Sequence, residues 1–176
     1  MKRMVLLGLL LCLFVQQGNS QSDKRQARID SLQQLLPKAS DQDKLTLYMQ
    51  LGGLYFSFNP SQSLHYASAG LQLSEKMQFL EGVSYFAYFL GNISHELSND
   101  SASIRYLTYA LAIETKRGEK EGMATIMNNL GAVYEERSNY PKALENYFGG
   151  LRLFEQLEQQ GDSSTMLSVK NGMANS

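Results

Sequence analysis

Apolar residues recur along this chain at helical spacing. Over 82–97 they fall at Val83, Phe86, Phe89, Leu90 and Ile93, and over 121–137 at Met123, Ile126, Met127, Leu130, Val133 and Tyr134. Steps of three and four put such residues on one face of an α-helix. Further helical stretches are expected over roughly 42–57, 60–76, 101–117 and 141–158. Pro141 suits the first turn of the last of these, where its missing N–H costs nothing. Asn99 and Asn139 interrupt the pattern between helices. Asn tolerates the left-handed conformation that ends a helix, and the neighbouring Asp100 and Ser138 suit a turn.

The pattern matches itself when the sequence is shifted by 40 residues. Glu81-Gly82 falls on Glu121-Gly122, and Leu90-Gly91 on Leu130-Gly131. Asn59, Asn99 and Asn139 align, as do Leu71, Leu111 and Leu151, each preceded by Gly or Ala. Self-similarity at such a period is the mark of a stacked helical array. Three two-helix units follow, over 41–79, 80–119 and 120–160. Gly82 and Gly122 are expected near helix starts, as breaks. The first unit is irregular: Leu51-Gly52 comes one residue late, so a residue is missing between Gly52 and Asn59. Ahead of it, Arg28 to Leu36 carries an amphipathic stretch ended by Pro37, so 21–40 is expected to be a lone capping helix over the first unit. At the far end, 161–176 opens like another first helix, but Lys170 and Asn171 stand where Leu130 and Gly131 stood. A polar C-terminal cap and the start of an incomplete fourth repeat both remain open, as does a fragment of a longer chain.

The first twenty residues differ from the rest. Lys2 and Arg3 precede an apolar run from Met4 to Val15, and Gly18-Asn19-Ser20 supplies small residues before Gln21. This is the layout of a secretory signal cut before Gln21, and the run is too short for a membrane span of roughly 20 residues. The expected location is therefore outside the cytoplasm, periplasmic or extracytoplasmic. Cleavage would remove Lys2, Arg3 and the lone Cys12, taking the net charge from −1 to −3. A Cys-free exported chain depends on packing for its stability. Of the 176 residues, 43% are hydrophobic, enough for a core. With 16 Lys and Arg against 17 Asp and Glu there is no basic face for nucleic acid.

The units resemble tetratricopeptide (TPR) repeats. The third carries Leu130-Gly131-x-x-Tyr134, then Ala143 and Tyr147. The first carries Leu51-Gly52-x-x-Tyr55, then Ser63 and Ala67. The second keeps Leu90-Gly91 but has Ser94 in place of Tyr, with Ser103 and Leu107 after it. Gly where helices cross lets the backbones approach, and Tyr or Leu fills the space beside it. The resemblance implies an all-α, right-handed TPR-like solenoid that binds a protein or peptide, without cofactor and without catalysis. The 40-residue variety, with Met127 to Tyr134 and the opening Asp30 to Leu36, is similar to exported TPR sensor regions of Bacteroidetes-type signalling proteins. That likeness implies an extracytoplasmic sensory or interaction region. A stand-alone periplasmic adaptor or assembly factor, and a fragment of a TPR-containing sensor histidine kinase or transcriptional regulator, are the alternatives. Contact with a membrane would come only through a downstream segment, and self-association through the uncovered end of the array.

By the same resemblance the first helices line a concave groove. Its expected positions are Asn128, Ala132, Glu135 and Glu136 in the third unit, Tyr88, Asn92, His95 and Glu96 in the second, and Met49, Gly53, Phe56 and Ser57 in the first. Asn side chains both donate and accept, as an extended peptide requires. No Lys or Arg stands at these positions, so a neutral or basic partner fits better than an acidic one. The principal groove candidates are Tyr88, Asn92, His95, Asn128, Glu135 and Glu136. His95-Glu96 is the only tempting catalytic pair, but adjacent helical residues point about 100° apart. The two His are thirty residues apart with no His-x-x-x-His pair, so no metal site is expected. Lys116 to Glu121 looks like a solvated mixed-charge junction.

Overall fold

A computed structural model of the protein describes residues 21–159. The leader expected over 1–20 and the closing element expected over 161–176 lie outside them. Seven helices occur among the described residues, and no strand. They are α1 over 21–35, α2 Asp41–Phe56, α3 Pro60–Lys76, α4 Leu80–Glu96, α5 Asp100–Arg117, α6 Lys120–Glu136 and α7 Tyr140–Gln159. A 3₁₀ turn, Leu36–Lys38, holds Pro37 between α1 and α2. None of the described helices is long and apolar enough to cross a membrane. From α2 onward each helix packs chiefly on its chain neighbours, and the first helices also touch in the order α2, α4, α6. This is the all-α, right-handed TPR-like solenoid.

The aligned asparagines start helices; they do not end them. Asn59, Asn99 and Asn139 accept from the N–H groups of Gln62, Ala102 and Lys142 at 3.2, 3.2 and 3.4 Å. Each thereby satisfies one of the orphan donors at a helix N-terminus, worth about 1 kcal/mol. The left-handed conformation expected at Asn falls one residue earlier. Gln78, Ser98, Gly118 and Ser138 have φ of 56°, 56°, 74° and 55°, spaced every twenty residues. Each closes a Schellman turn, in which the next N–H returns to a carbonyl five residues back: Phe79 to Ser74, Asn99 to Ser94, Glu119 to Glu114 and Asn139 to Tyr134. Among the turns that link α2 through α7, the α2–α3 turn departs from this. Asn59 N–H reaches only four residues back, to Tyr55 O at 2.8 Å. The residue missing from the first unit is therefore the left-handed one.

The core runs as three linked clusters. Ile29, Leu51 and Tyr66 join α1, α2 and α3, and Ile29 is fully buried. Leu45, Ala67, Phe86, Leu90 and Ile93 join α2, α3 and α4. Ala87, Leu107, Ala110, Ile126, Leu130 and Val133 join α4, α5 and α6. Gln33 donates to the Tyr66 hydroxyl at 2.8 Å, tying α1 to α3.

The Leu-Gly glycines mark close approaches. A Cβ on Gly91 would sit 2.7 Å from Leu107 Cγ, and one on Gly131 2.6 Å from the Tyr147 ring. A Cβ on Gly52, one place out of register, would meet Phe89 of α4 at 2.8 Å, while the Gly52 carbonyl accepts from Ser63 Oγ of its own second helix at 2.8 Å. Gly131→Leu is expected to cost about 1–3 kcal/mol by overpacking α6 against α7. Thermal unfolding followed by circular dichroism would show it, and an unchanged melting curve would disprove this packing.

Candidate functional site

The first helices α2, α4 and α6 wall a cleft of about 560 Å³. Leu45, Phe86 and Ile126 form a buried apolar floor, and Met49 and Tyr85 stand on its sides at 38% and 40% exposure. Burial raises the Tyr85 hydroxyl above the usual phenol range, so it remains a hydrogen-bond donor. Gly82 and Gly122 line the same space. They lie inside the first turns of α4 and α6, not in the breaks between helices. A Cβ there would meet Ser74 Oγ at 2.5 Å or the Glu114 carboxylate carbon at 2.9 Å. The absence of a side chain is what lets the ends of α3 and α5 close onto the next helix.

The rim is acidic. Glu81, Glu114, Glu119 and Glu121 line the cleft against a single Arg117. Arg117 Nη1 donates to both Glu114 oxygens at 2.7 and 2.8 Å. Its Nη2 stands 4.0 Å from Glu81 and 4.0 Å from Glu119. Glu114 is 6% exposed and fills the site over Gly122 that Ser74 fills over Gly82. The cation of the cleft is thus consumed by its own buried carboxylate, while Glu81, Glu119 and Glu121 are exposed. The junction from Lys116 to Glu121, read in the sequence as solvated, supplies Arg117, Glu119 and Glu121 to the cleft wall. The period contained the signal: Glu114 aligns with Ser74 and Phe154, both buried, so a charge there had to be buried too.

Of the groove residues expected from the sequence, Tyr88 and Met49 line the cleft. Asn129 Nδ2 donates to the Tyr88 hydroxyl at 3.0 Å and to Asn92 Oδ1 at 2.9 Å, so these side chains tie α6 to α4. The Tyr147 hydroxyl donates to Glu135 at 2.7 Å. Burial, then that carboxylate, push the Tyr147 hydroxyl well above the usual range. His95 has Nε2 3.4 Å from Glu136 and Nδ1 3.8 Å from Asp100. Asn128 is half-buried on α6. Asn92, His95, Asn128, Glu135 and Glu136 do not line this cleft.

No family model matches the chain, and no curated protein does. Among solved structures it is similar to the crystal structure of the TPR domain of Arabidopsis FLU, at 18% identity and a TM-score of 0.63. That likeness covers 66% of this chain and 99% of the FLU domain. Helix pairs, their order and this overlap agree: the chain has the fold of a TPR domain.

Proposed function

We propose that the chain is a protein-binding scaffold that holds an extended peptide in the α2/α4/α6 cleft, with no chemical step. The observation that carries this reading is an apolar floor under an acidic rim whose one cation among the described residues, Arg117, is already paired. Tyr85 and Met49 offer contact area at the opening, and tyrosine does so at low entropic cost. Glu81, Glu119 and Glu121 favour Lys or Arg beside an aliphatic side chain, because complementary charge sets partner choice and association rate. The layout of residues 1–20 and the likeness to exported sensor arrays support a sensory or interaction region acting outside the cytoplasm.

Selection from displayed random dodecapeptides tests the cleft. Enriched sequences are expected to pair a basic residue with an aliphatic one. Tyr85→Ala is expected to weaken the selected peptide by about 2 kcal/mol, as for a buried interface tyrosine. Glu81→Lys with Glu121→Lys should slow association and reduce its dependence on salt. Enrichment of acidic peptides, or binding indifferent to these three changes, would defeat the reading.

A further inference from the structure

The His95 cluster lies outside the cleft and has a different chemistry. It gathers three helices: His95 near the end of α4, Asp100 at the start of α5 and Glu136 at the end of α6. One ligand atom from each lies within 4.8 Å of the others. His95 Nε2 is 3.4 Å from Glu136 Oε1. Two donors at about 2.0–2.2 Å from a tetrahedral Zn²⁺ are separated by roughly 3.4 Å. On the other edge of the ring, Nδ1 is buried and has no hydrogen-bond partner among the described residues. Asp100 Oδ1 stands 3.8 Å from it, less than an ångström too far for a hydrogen bond. The His95 side chain retains 25% exposure, all of it away from Nδ1. The ring therefore has an open edge beside one carboxylate and a closed edge beside another.

From this geometry we infer that His95 and Glu136 bind a divalent transition cation of the Zn²⁺ type, with Asp100 as the positioning residue. A ligating histidine commonly gives its other N–H to a carboxylate, which fixes the tautomer and makes the ligating nitrogen more basic. Asp100 lies on that side of the ring, 3.8 Å from Nδ1, and would take that place when the ion is bound. A nitrogen–oxygen donor set favours Zn²⁺ over Ca²⁺ or Mg²⁺, which prefer oxygen alone. Glu136, with a side chain 65% exposed, is free to adjust to the ion. Two protein ligands leave coordination positions for water or for a donor from outside. The ion would join the second unit to the third, since His95 and Glu136 belong to different repeats.

The chain makes the test clean. Its two histidines are His65 and His95, and its one cysteine is Cys12. Zinc chloride is titrated calorimetrically into the full chain at about pH 7.5, because metal ligands bind in their deprotonated forms. The expected result is one saturable site per chain, unchanged by His65→Ala and lost in His95→Ala. Asp100→Asn should weaken it about 10–100-fold, as outer partners of metal ligands do. Glu136→Gln should weaken it at least as much, and its exposed position separates loss of a ligand from loss of fold. Binding that survives His95→Ala overturns the inference. So does the absence of binding by the unmodified chain at about 1 mM Zn²⁺, a concentration at which even a weak two-ligand site is occupied. A change of stability with pH but none with Zn²⁺ would likewise overturn it, leaving only a histidine ion pair.

Discussion

Arg117→Ala is expected to lower the unfolding free energy by about 3–5 kcal/mol, the cost of leaving a buried carboxylate without its partner. Glu114 is 6% exposed, and both its oxygens accept from one guanidinium nitrogen. It packs over the backbone of Gly122, so it cannot swing out to water without opening the α5–α6 contact. Chemical denaturation of the single variant would show the loss. The double variant Glu114→Leu with Arg117→Leu is expected to lose far less, because replacing a whole buried pair by apolar groups is often neutral. The array supplies a precedent: Ser74 fills the same place over Gly82 without any charge. A loss below about 1 kcal/mol for Arg117→Ala would mean that the pair behaves as a solvated surface bridge.

Leu107→Ala is expected to cost about 2–5 kcal/mol, in the upper part of the range for a buried leucine. Leu107 is fully buried in the cluster shared by α4, α5 and α6. Its Cγ lies over Gly91, which has no side chain to relax into the vacated space. Cavity cost grows with the volume left unfilled, so a backbone wall on one side keeps the hole open. Denaturant titration with an unchanged slope would separate lost stability from a changed unfolded state. A cost under about 1 kcal/mol would show that α4 and α5 collapse onto each other and fill the space over Gly91.

The helices and their pairing were legible because helical spacing and a 40-residue period are local properties of the sequence. The late Leu51-Gly52 was also legible, although its cause was not. A missing left-handed residue becomes visible only once the turns at 78, 98, 118 and 138 are compared. The asparagines misled for a physical reason. Asn serves both as a left-handed residue and as an N-cap, and at 98–99 and 138–139 the two roles belong to adjacent positions, with Ser98 and Ser138 taking the first. The cleft wall was missed because Lys116 to Glu121 carries mixed charge, the ordinary mark of a solvated loop. Only the buried neighbours of Glu114 in the period argued otherwise. Metal-ligand spacing rules look along one helix. His95, Asp100 and Glu136 are brought together by three helices, so no short motif could announce them.

The Schellman turns every twenty residues have a consequence for how the chain acquires its structure. Each helix meets the next across a turn of a few residues, and the larger contacts all lie between consecutive helices. Little entropy is lost in closing any one of them, because the chain between partners is short. Folding therefore has no obligatory starting point: any pair of helices can form and recruit its neighbours in either direction. Such low contact order belongs to domains that fold in microseconds to milliseconds. The same locality limits damage. A break at one crossing removes the partners of two helices and leaves the more distant pairs intact.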